Sequence, residues 1–254
     1  MALLEVKGLS KYFGGLAAIS DLDLAVDEGE IRGLIGPNGA GKTTLFNVIS
    51  GVYRPTKGSV IYQGEDISRF SPSRIAARGL VRTFQRTALF HDFTVLKNVV
   101  IARHLRAKET VFGAIAGTAR QMEKKQEEKA LEIVEFLELG PLKDELALNL
   151  PHGHQRALGV AIALATEPKV LMLDEPLTGM NPVEKEHMIA LIRKLHDSGI
   201  TILMVEHDMK SVMGLCIHIS VLDFGKLLAE GPPEEILANP DVIEAYLGGE
   251  EVAA

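Results

Sequence analysis

The stretch Gly36-Pro37-Asn38-Gly39-Ala40-Gly41-Lys42-Thr43-Thr44 constrains this chain more than any other, because it fits GxxxxGK[ST] between an apolar run and a helical pattern. Ile31 to Ile35 reads as a short buried strand, and Leu45, Val48 and Ile49 recur at the i, i+3, i+4 spacing of a helix face. Strand, loop and helix thus stand in the order that a phosphate-binding loop needs. The glycines let the backbone turn its N–H groups inward, Lys42 brings a mobile positive charge to the β- and γ-phosphates, and the helix N-terminus adds its dipole. The Thr43 hydroxyl is placed to bind Mg²⁺. A glycine-rich joint with no ligand is the alternative, and the flanking strand and helix weigh against it.

The 254 residues suffice for one large α/β domain or for two smaller lobes, each with its own core. A formal net charge of −7, with both signs mixed along the chain, argues against a partner held by electrostatics such as nucleic acid. The one cysteine, Cys216, lies in an apolar stretch and reads as a buried structural thiol in a reducing compartment. No apolar run approaches the ~20 residues needed to span a bilayer, the best being residues 157–165. The start Met1-Ala2-Leu3-Leu4-Glu5 has no signal pattern. The chain is therefore expected in the cytosol, and any membrane process it serves needs a separate polypeptide to cross the bilayer.

Ahead of the loop, Leu4 and Val6, then Leu22, Leu24 and Val26, alternate with polar residues as half-buried antiparallel strands do. Between them lies Tyr12-Phe13-Gly14-Gly15, whose aromatics are read either as core or as a platform that stacks on a purine. Past the loop's helix, residues 59–62 read as a strand, 73–78 as a short helix, and 80–84 as a strand that presents Gln85 at its end. From residue 87 to residue 165 the pattern turns mostly helical. One helix spans 95–104, and a longer one spans 119–139 with Met122, Leu131, Val134 and Leu137 toward a core. The charge-dense Glu123-Lys124-Lys125-Gln126-Glu127-Glu128-Lys129 reads as its solvated face, and 113–117 as a loop. This is the pattern of a helical lobe inserted between sheet strands.

The α/β pattern resumes with a strand at 169–173 that ends in Asp174-Glu175-Pro176. Asn181-Pro182 caps a helix with the apolar face Met188, Leu191, Ile192 and Leu195, closed by Gly199. Residues 200–205 are the next buried strand, ending in Glu206-His207-Asp208. Residues 217–222 and 226–230 read as a strand and the edge of a hairpin, and two short helices finish the chain. A buried strand that ends in two carboxylates is costly without a task for them. Asp174 can hold a Mg²⁺-bound water there, and Glu175 can polarise an attacking water. A lone histidine at a strand end is most often structural. His207 falls on the sheet edge where open α/β sheets bind ligands, which favours contact with a γ-phosphate.

In this order of features the chain resembles, over essentially its whole length, the ATP-binding cassette family of transporter ATPases. Phe13, residues 36–44, Gln85, Leu150-Pro151-His152-Gly153-His154, residues 171–175, residues 179–182 and His207 occupy the places of that family's aromatic residue, Walker A loop, glutamine loop, signature, Walker B strand, D-loop and histidine switch. The resemblance implies an α/β fold: a P-loop NTPase core with a mixed, largely parallel sheet, an N-terminal antiparallel β subdomain and an inserted helical subdomain. It implies one domain over 1–254, with 1–86 and 166–254 as the nucleotide-binding core and 87–165 as the helical subdomain with the signature. It further implies ATP and Mg²⁺ as cofactors, with Thr43, Gln85 and Asp174 at the metal and Phe13, or else Tyr12, on adenine. Gly36, Pro37, Asn38, Gly39, Ala40, Gly41, Lys42, Thr43 and Thr44 would surround the phosphates. Lys42, Gln85, Glu175 and His207 would serve catalysis, Glu175 as the base.

Within the family, Gly79-Leu80-Val81-Arg82-Thr83-Phe84-Gln85, Gly179-Met180-Asn181-Pro182 and the segment 239–248 are similar to the branched-chain amino acid importer ATPases. The insertion around 111–129 resembles the larger of their two paired subunits. Urea and amide importers and lipopolysaccharide exporters share parts of the pattern. The implied partners are transmembrane permease subunits, a second cassette ATPase in a hetero- or homodimer and, indirectly, a periplasmic or extracellular solute-binding protein, with no nucleic acid. The implied place is the cytoplasmic face of the inner membrane. A soluble cassette acting on nucleic acid or ribosomes is the reading from another class, but its usual tandem cassettes, coiled coils and zinc insertions are missing from the sequence.

The signature departs from Leu-Ser-Gly-Gly-Gln. Pro151 removes a hydroxyl and a backbone N–H, His154 replaces an amide with a titratable ring, and Gly153 keeps the close backbone approach. In this family each cassette lends its signature to the other's phosphate loop, so the departure bears on the partner's site.

Overall fold

The computed structural model describes residues 2–83, 89–106 and 119–247. Its centre is a six-stranded sheet in the order β10-β9-β3-β8-β7-β6. The strands are β3 (Ile31–Ile35), β6 (Leu80–Arg82), β7 (Val170–Asp174), β8 (Thr201–Val205), β9 (His218–Asp223) and β10 (Lys226–Gly231). All neighbours run parallel except β10, which pairs antiparallel with β9 as the hairpin edge. Every residue of β3, β7 and β8 is buried, as a parallel sheet covered on both faces requires.

Alternation along these strands divides the core into two layers. Leu171, Leu173, Ile202 and Met204 face the helices, whereas Val170, Met172, Leu203 and Val205 face an antiparallel sheet and the helix α1 (Lys42–Ile49). That second sheet has the order β2-β1-β4-β5, built from β1 (Ala2–Phe13), β2 (Leu16–Asp27), β4 (Lys57–Tyr62) and β5 (Glu65–Asp66). The short helix α2 (Pro72–Ala77) inserts Ile75 into the same layer.

On the other face lie α3 (Val95–Arg106), α4 (Ala119–Phe136) and α5 (His152–Leu164), whose buried residues share one cluster with the sheet. Val134 and Leu137 are in that core as expected, but Leu131 is only half-buried, and Ala130 takes the inner position beside Val134. The reason is helical phase: Ala130 and Val134 are four apart on one stripe, and Leu131 lies about 100° around from Ala130. Lys124 and Glu128 pair at 3.8 Å on the exposed side, the solvated face read from the charges. The side chain of Met122, the loop expected at 113–117 and Gln85 lie outside the described residues.

The helix α6 (Pro182–Asp197) starts with a full capping box between Asn181 and Glu184 and buries Met188, Leu191, Ile192 and Leu195. It stops at Ser198, and Gly199 follows with φ +93 in the left-handed region that favours glycine. The chain then runs through α7 (Met209–Leu215) and ends in α8 (Pro233–Ala238) and α9 (Pro240–Leu247). Cys216 is buried behind β3, and burial pushes its thiol up to about 12, as an inert structural cysteine. No helix among the described residues is long and apolar enough to cross a membrane.

Candidate nucleotide site

Because β3, β7 and β8 are parallel and adjacent in the order β3-β8-β7, their C-terminal ends reach one edge of the sheet together. That edge gathers residues 36–44 after β3, Asp174 and Glu175 at the end of β7, and His207 just after β8. Residues far apart in sequence thus meet at the edge where ligands bind in open α/β folds.

The phosphate loop is a cradle that side chains would fill. A Cβ on Gly36 would strike the carbonyl of Leu222, and one on Gly41, whose φ is +103, would come within 2.7 Å of the Ala18 carbonyl. The loop is pinned from outside by Gly225, whose N–H donates to the Ala40 carbonyl at 3.0 Å. Gly41 occupies the N-cap of α1 and offers no side chain, so the first N–H groups of the helix have no side-chain acceptor there. Lys42 Nζ donates to the carbonyls of Gly36 at 2.6 Å and Pro37 at 2.9 Å, closing across the loop. Partial burial pushes the Lys42 ammonium below its ordinary value, opposed by the carboxylate of Glu175. Asn38, Gly39 and Thr43 are exposed, and Ala40 is buried.

Glu175 is held at φ +48, an uncommon backbone for a residue with a side chain. Its N–H donates to the Val205 carbonyl at 2.9 Å, and Thr178 Oγ1 donates to its carboxylate at 3.3 Å. Asp174, one residue earlier, is buried and paired with Arg82 Nη2 at 2.7 Å. The same guanidinium reaches Asn47 Oδ1 at 2.7 Å and Ser50 Oγ at 3.2 Å through Nη1, tying β6 and β7 to α1. Thr43 and Asp174 offer hydroxyl and carboxylate oxygens, the hard donor set that a magnesium ion takes. Arg82 was not read as a site residue from the sequence, although a guanidinium inside an apolar strand end is a signal that a buried anion lies nearby.

His207 has its side chain 64% exposed at the edge. Behind it, Glu206 is 1% exposed and accepts the N–H of Leu177 at 2.7 Å through Oε1 and the N–H of His207 at 3.2 Å through Oε2. Burial pushes the Glu206 carboxyl up, and those backbone donors pull it back in part. Asp208 caps α7 and pairs with Lys185 Nζ at 2.6 Å.

Phe13 is 42% exposed at the end of β1, so the core reading fails for this ring. It meets Tyr53 edge-on at 5.3 Å, with Lys11 Nζ 5.0 Å from its centroid. The segment Leu150-Pro151-His152-Gly153-His154 opens α5, as expected, with Pro151 at the N-cap and no side-chain cap. Leu150 is buried and its carbonyl accepts the Gln155 amide at 2.9 Å, while Pro151 and His152 are exposed. A Cβ on Gly153 would lie 3.1 Å from Glu184 Oε1, and one on Gly179 would lie 3.2 Å from His152 Cε1. The signature segment therefore packs on the turn that starts α6. Beside Arg82 and Asp174 opens a mostly apolar cavity of about 350 Å³, between Val81 and Ala76 on one side and Val160 and Ala163 of α5 on the other.

The family model described as ABC transporter matches residues 19–178, and the one described as branched-chain amino acid ATP-binding cassette transporter matches 226–252. The chain is 43% identical to the high-affinity branched-chain amino acid transport ATP-binding protein BraF of Pseudomonas aeruginosa, over 97% of this chain and 98% of that protein. It is 42% identical to LivG of Escherichia coli, a protein of the same description, over the same shares. A crystal structure of a nucleotide-free ATP-binding cassette from an ABC transporter superposes with a TM-score of 0.86 at 32% identity, covering 97% of this chain and 99% of that one. A dimeric bacterial ABC transporter cassette superposes with a TM-score of 0.76 at 25% identity, covering 91% and 98%.

Proposed function

Because the chain belongs to the ABC transporter family, whose ATPase cassettes hydrolyse ATP to power transport, we propose that it energises import of branched-chain or related hydrophobic amino acids. The observation that carries the site assignment is the convergence of Lys42, Asp174, Glu175 and His207 on one sheet edge. The solute assignment rests on the likeness to BraF and LivG across almost the whole chain.

In this reading the N–H groups of residues 36–44 and Lys42 bind the β- and γ-phosphates, so Lys42 exchanges its two loop carbonyls for phosphate oxygens. Phe13 stacks on the adenine. Thr43, Asp174 and Gln85 would hold Mg²⁺, which when bound would neutralise charge on the phosphates. Glu175 takes a proton from water as its oxygen attacks the γ-phosphorus. The bond from that phosphorus to the bridging oxygen breaks, and ADP leaves with the bridging oxygen. His207, exposed at the edge, contacts the γ-phosphate and registers its loss.

A second cassette supplies the signature that completes this phosphate site, and residues 150–154 are offered to the partner's loop in exchange. Residues 1–86 and 166–254 form the nucleotide-binding core, and 87–165 a helical subdomain. A transmembrane permease docks beside the apolar cavity, next to the strand that leads toward Gln85, and a solute-binding protein acts through that permease. The working place is then the cytoplasmic face of the membrane. The test is ATP hydrolysis by the transporter purified from membranes, with and without leucine, isoleucine or valine. Stimulation by these three supports the assignment. Indifference to them with stimulation by urea or amides overturns the solute, and co-purification with nucleic acid instead of permease overturns the transport role.

A further inference from the structure

The buried carboxylate of Glu206 has no part in the chemistry just described, yet its position is expensive. A carboxylate sealed from water is tolerated only when donors compensate it. Here the two oxygens are used on two different segments: Oε1 takes the N–H of Leu177, two residues after Glu175, and Oε2 takes the N–H of His207. Around this carboxylate the ends of β7 and β8 are joined again by Glu175 N–H to the Val205 carbonyl at 2.9 Å, and α6 is tied to the start of α7 by Lys185 to Asp208 at 2.6 Å. Leu177 is itself buried, and the next residue, Thr178, donates to Glu175. A continuous run of contacts therefore leads from His207 through Glu206, Leu177 and Thr178 to Glu175. Filling space at residue 206 would require no charge, whereas here the backbone N–H groups of Leu177 and His207 each take one oxygen of the carboxylate.

We propose that Glu206 is a positioning residue, whose carboxylate locks the turn after Glu175 to the backbone of His207, so that the phosphate contact and the base are set as one unit. The inference rests on the roles given above to Glu175 and His207. The lock acts chiefly in hydrolysis, because its contacts reach residues after the phosphate loop and none in the loop that binds the β- and γ-phosphates.

The test uses the intact transporter and compares Glu206→Ala, Glu206→Gln, Glu175→Gln and their double variants, together with His207→Ala. Glu206→Ala is expected to lower kcat by about 10- to 100-fold with KM for ATP within about 3-fold of the parent. In the Glu175→Gln background the same change should cost less than about 2-fold, since the lock acts by placing that carboxylate, whereas His207→Ala keeps the backbone N–H that Glu206 holds. Glu206→Gln keeps one acceptor and should fall between parent and alanine variant. If Glu206→Ala does not fold, Glu206→Gln carries the same comparison with Glu175→Gln. Unchanged kcat in both folded variants, or losses that multiply in the double variant, would overturn the proposal. Full turnover in Glu175→Gln or His207→Ala would instead overturn the site roles on which it rests.

Discussion

Polar groups at the phosphate edge already have partners within the chain: Lys42 spans its own loop, Arg82 neutralises Asp174, and Thr178 supports Glu175. At residues 150–154 the arrangement is the reverse. Helix α5 begins on an exposed Pro151 with no side-chain cap, whereas α6, against which it packs, has both halves of a capping box. Uncapped N–H groups at a helix start accept an anion from outside. Both α1 and α5 thus start without a side-chain cap, but the first start lies in a loop that Lys42 closes, whereas the second lies on the exposed Pro151 and His152. The difference teaches that conservative changes should act locally and chemically at the first, and weakly and only in the dimer at the second.

The sharpest break in that comparison is Glu175→Gln. It should lower kcat by about 10²- to 10⁴-fold with ATP affinity nearly unchanged, as checked by steady-state hydrolysis and a fluorescent nucleotide titration. Next in size is Arg82→Ala, which leaves Asp174 buried without its cation and should cost about 3–5 kcal/mol of stability in urea unfolding. An unchanged midpoint would show that Asp174 does not depend on this partner. Lys42→Ala should weaken ATP binding by roughly 10- to 100-fold, the loss of charge-assisted hydrogen bonds, as calorimetry would read. Smallest is the restoration of the usual signature chemistry by Pro151→Ser with His154→Gln. It should raise turnover at the partner's loop by roughly 2- to 10-fold and leave turnover at this chain's own loop unchanged, while a serine at the N-cap of α5 raises the melting temperature slightly. Pairs silenced at one site by Glu175→Gln, or by its equivalent in the partner, separate the two. Equal residual turnover from both would remove the asymmetry.

Much of this was legible in the chain itself. The Asn181-Pro182 start of α6 is a local rule satisfied by neighbours in sequence, and the loop glycines and the carboxylates after an apolar run follow local spacing, although the groups that crowd Gly36 and Gly41, Leu222 and Ala18, are distant in sequence. Strand limits were read to within a few residues because burial on both faces leaves a continuous apolar run. The half-burial of Leu131 was not legible, since a helix with many charges tolerates more than one phase until its neighbours are known. The roles of Arg82 and Glu206 were not legible either. Arg82 ends a strand and Glu206 follows one, and their partners, Asp174 and Leu177, lie 92 and 29 residues away.

By itself the sequence determined the phosphate loop, the order of strands and helices, the residue types able to bind metal and move a proton, and the odd signature. Those follow from backbone conformation and side-chain chemistry, which act over a few residues. Only the tertiary structure decided which strand ends stand side by side, that β8 lies between β3 and β7, and that a buried carboxylate joins the turn after Glu175 to His207. Sheet order is set by the burial of whole faces and by long-range hydrogen bonds, and no local stretch contains that information.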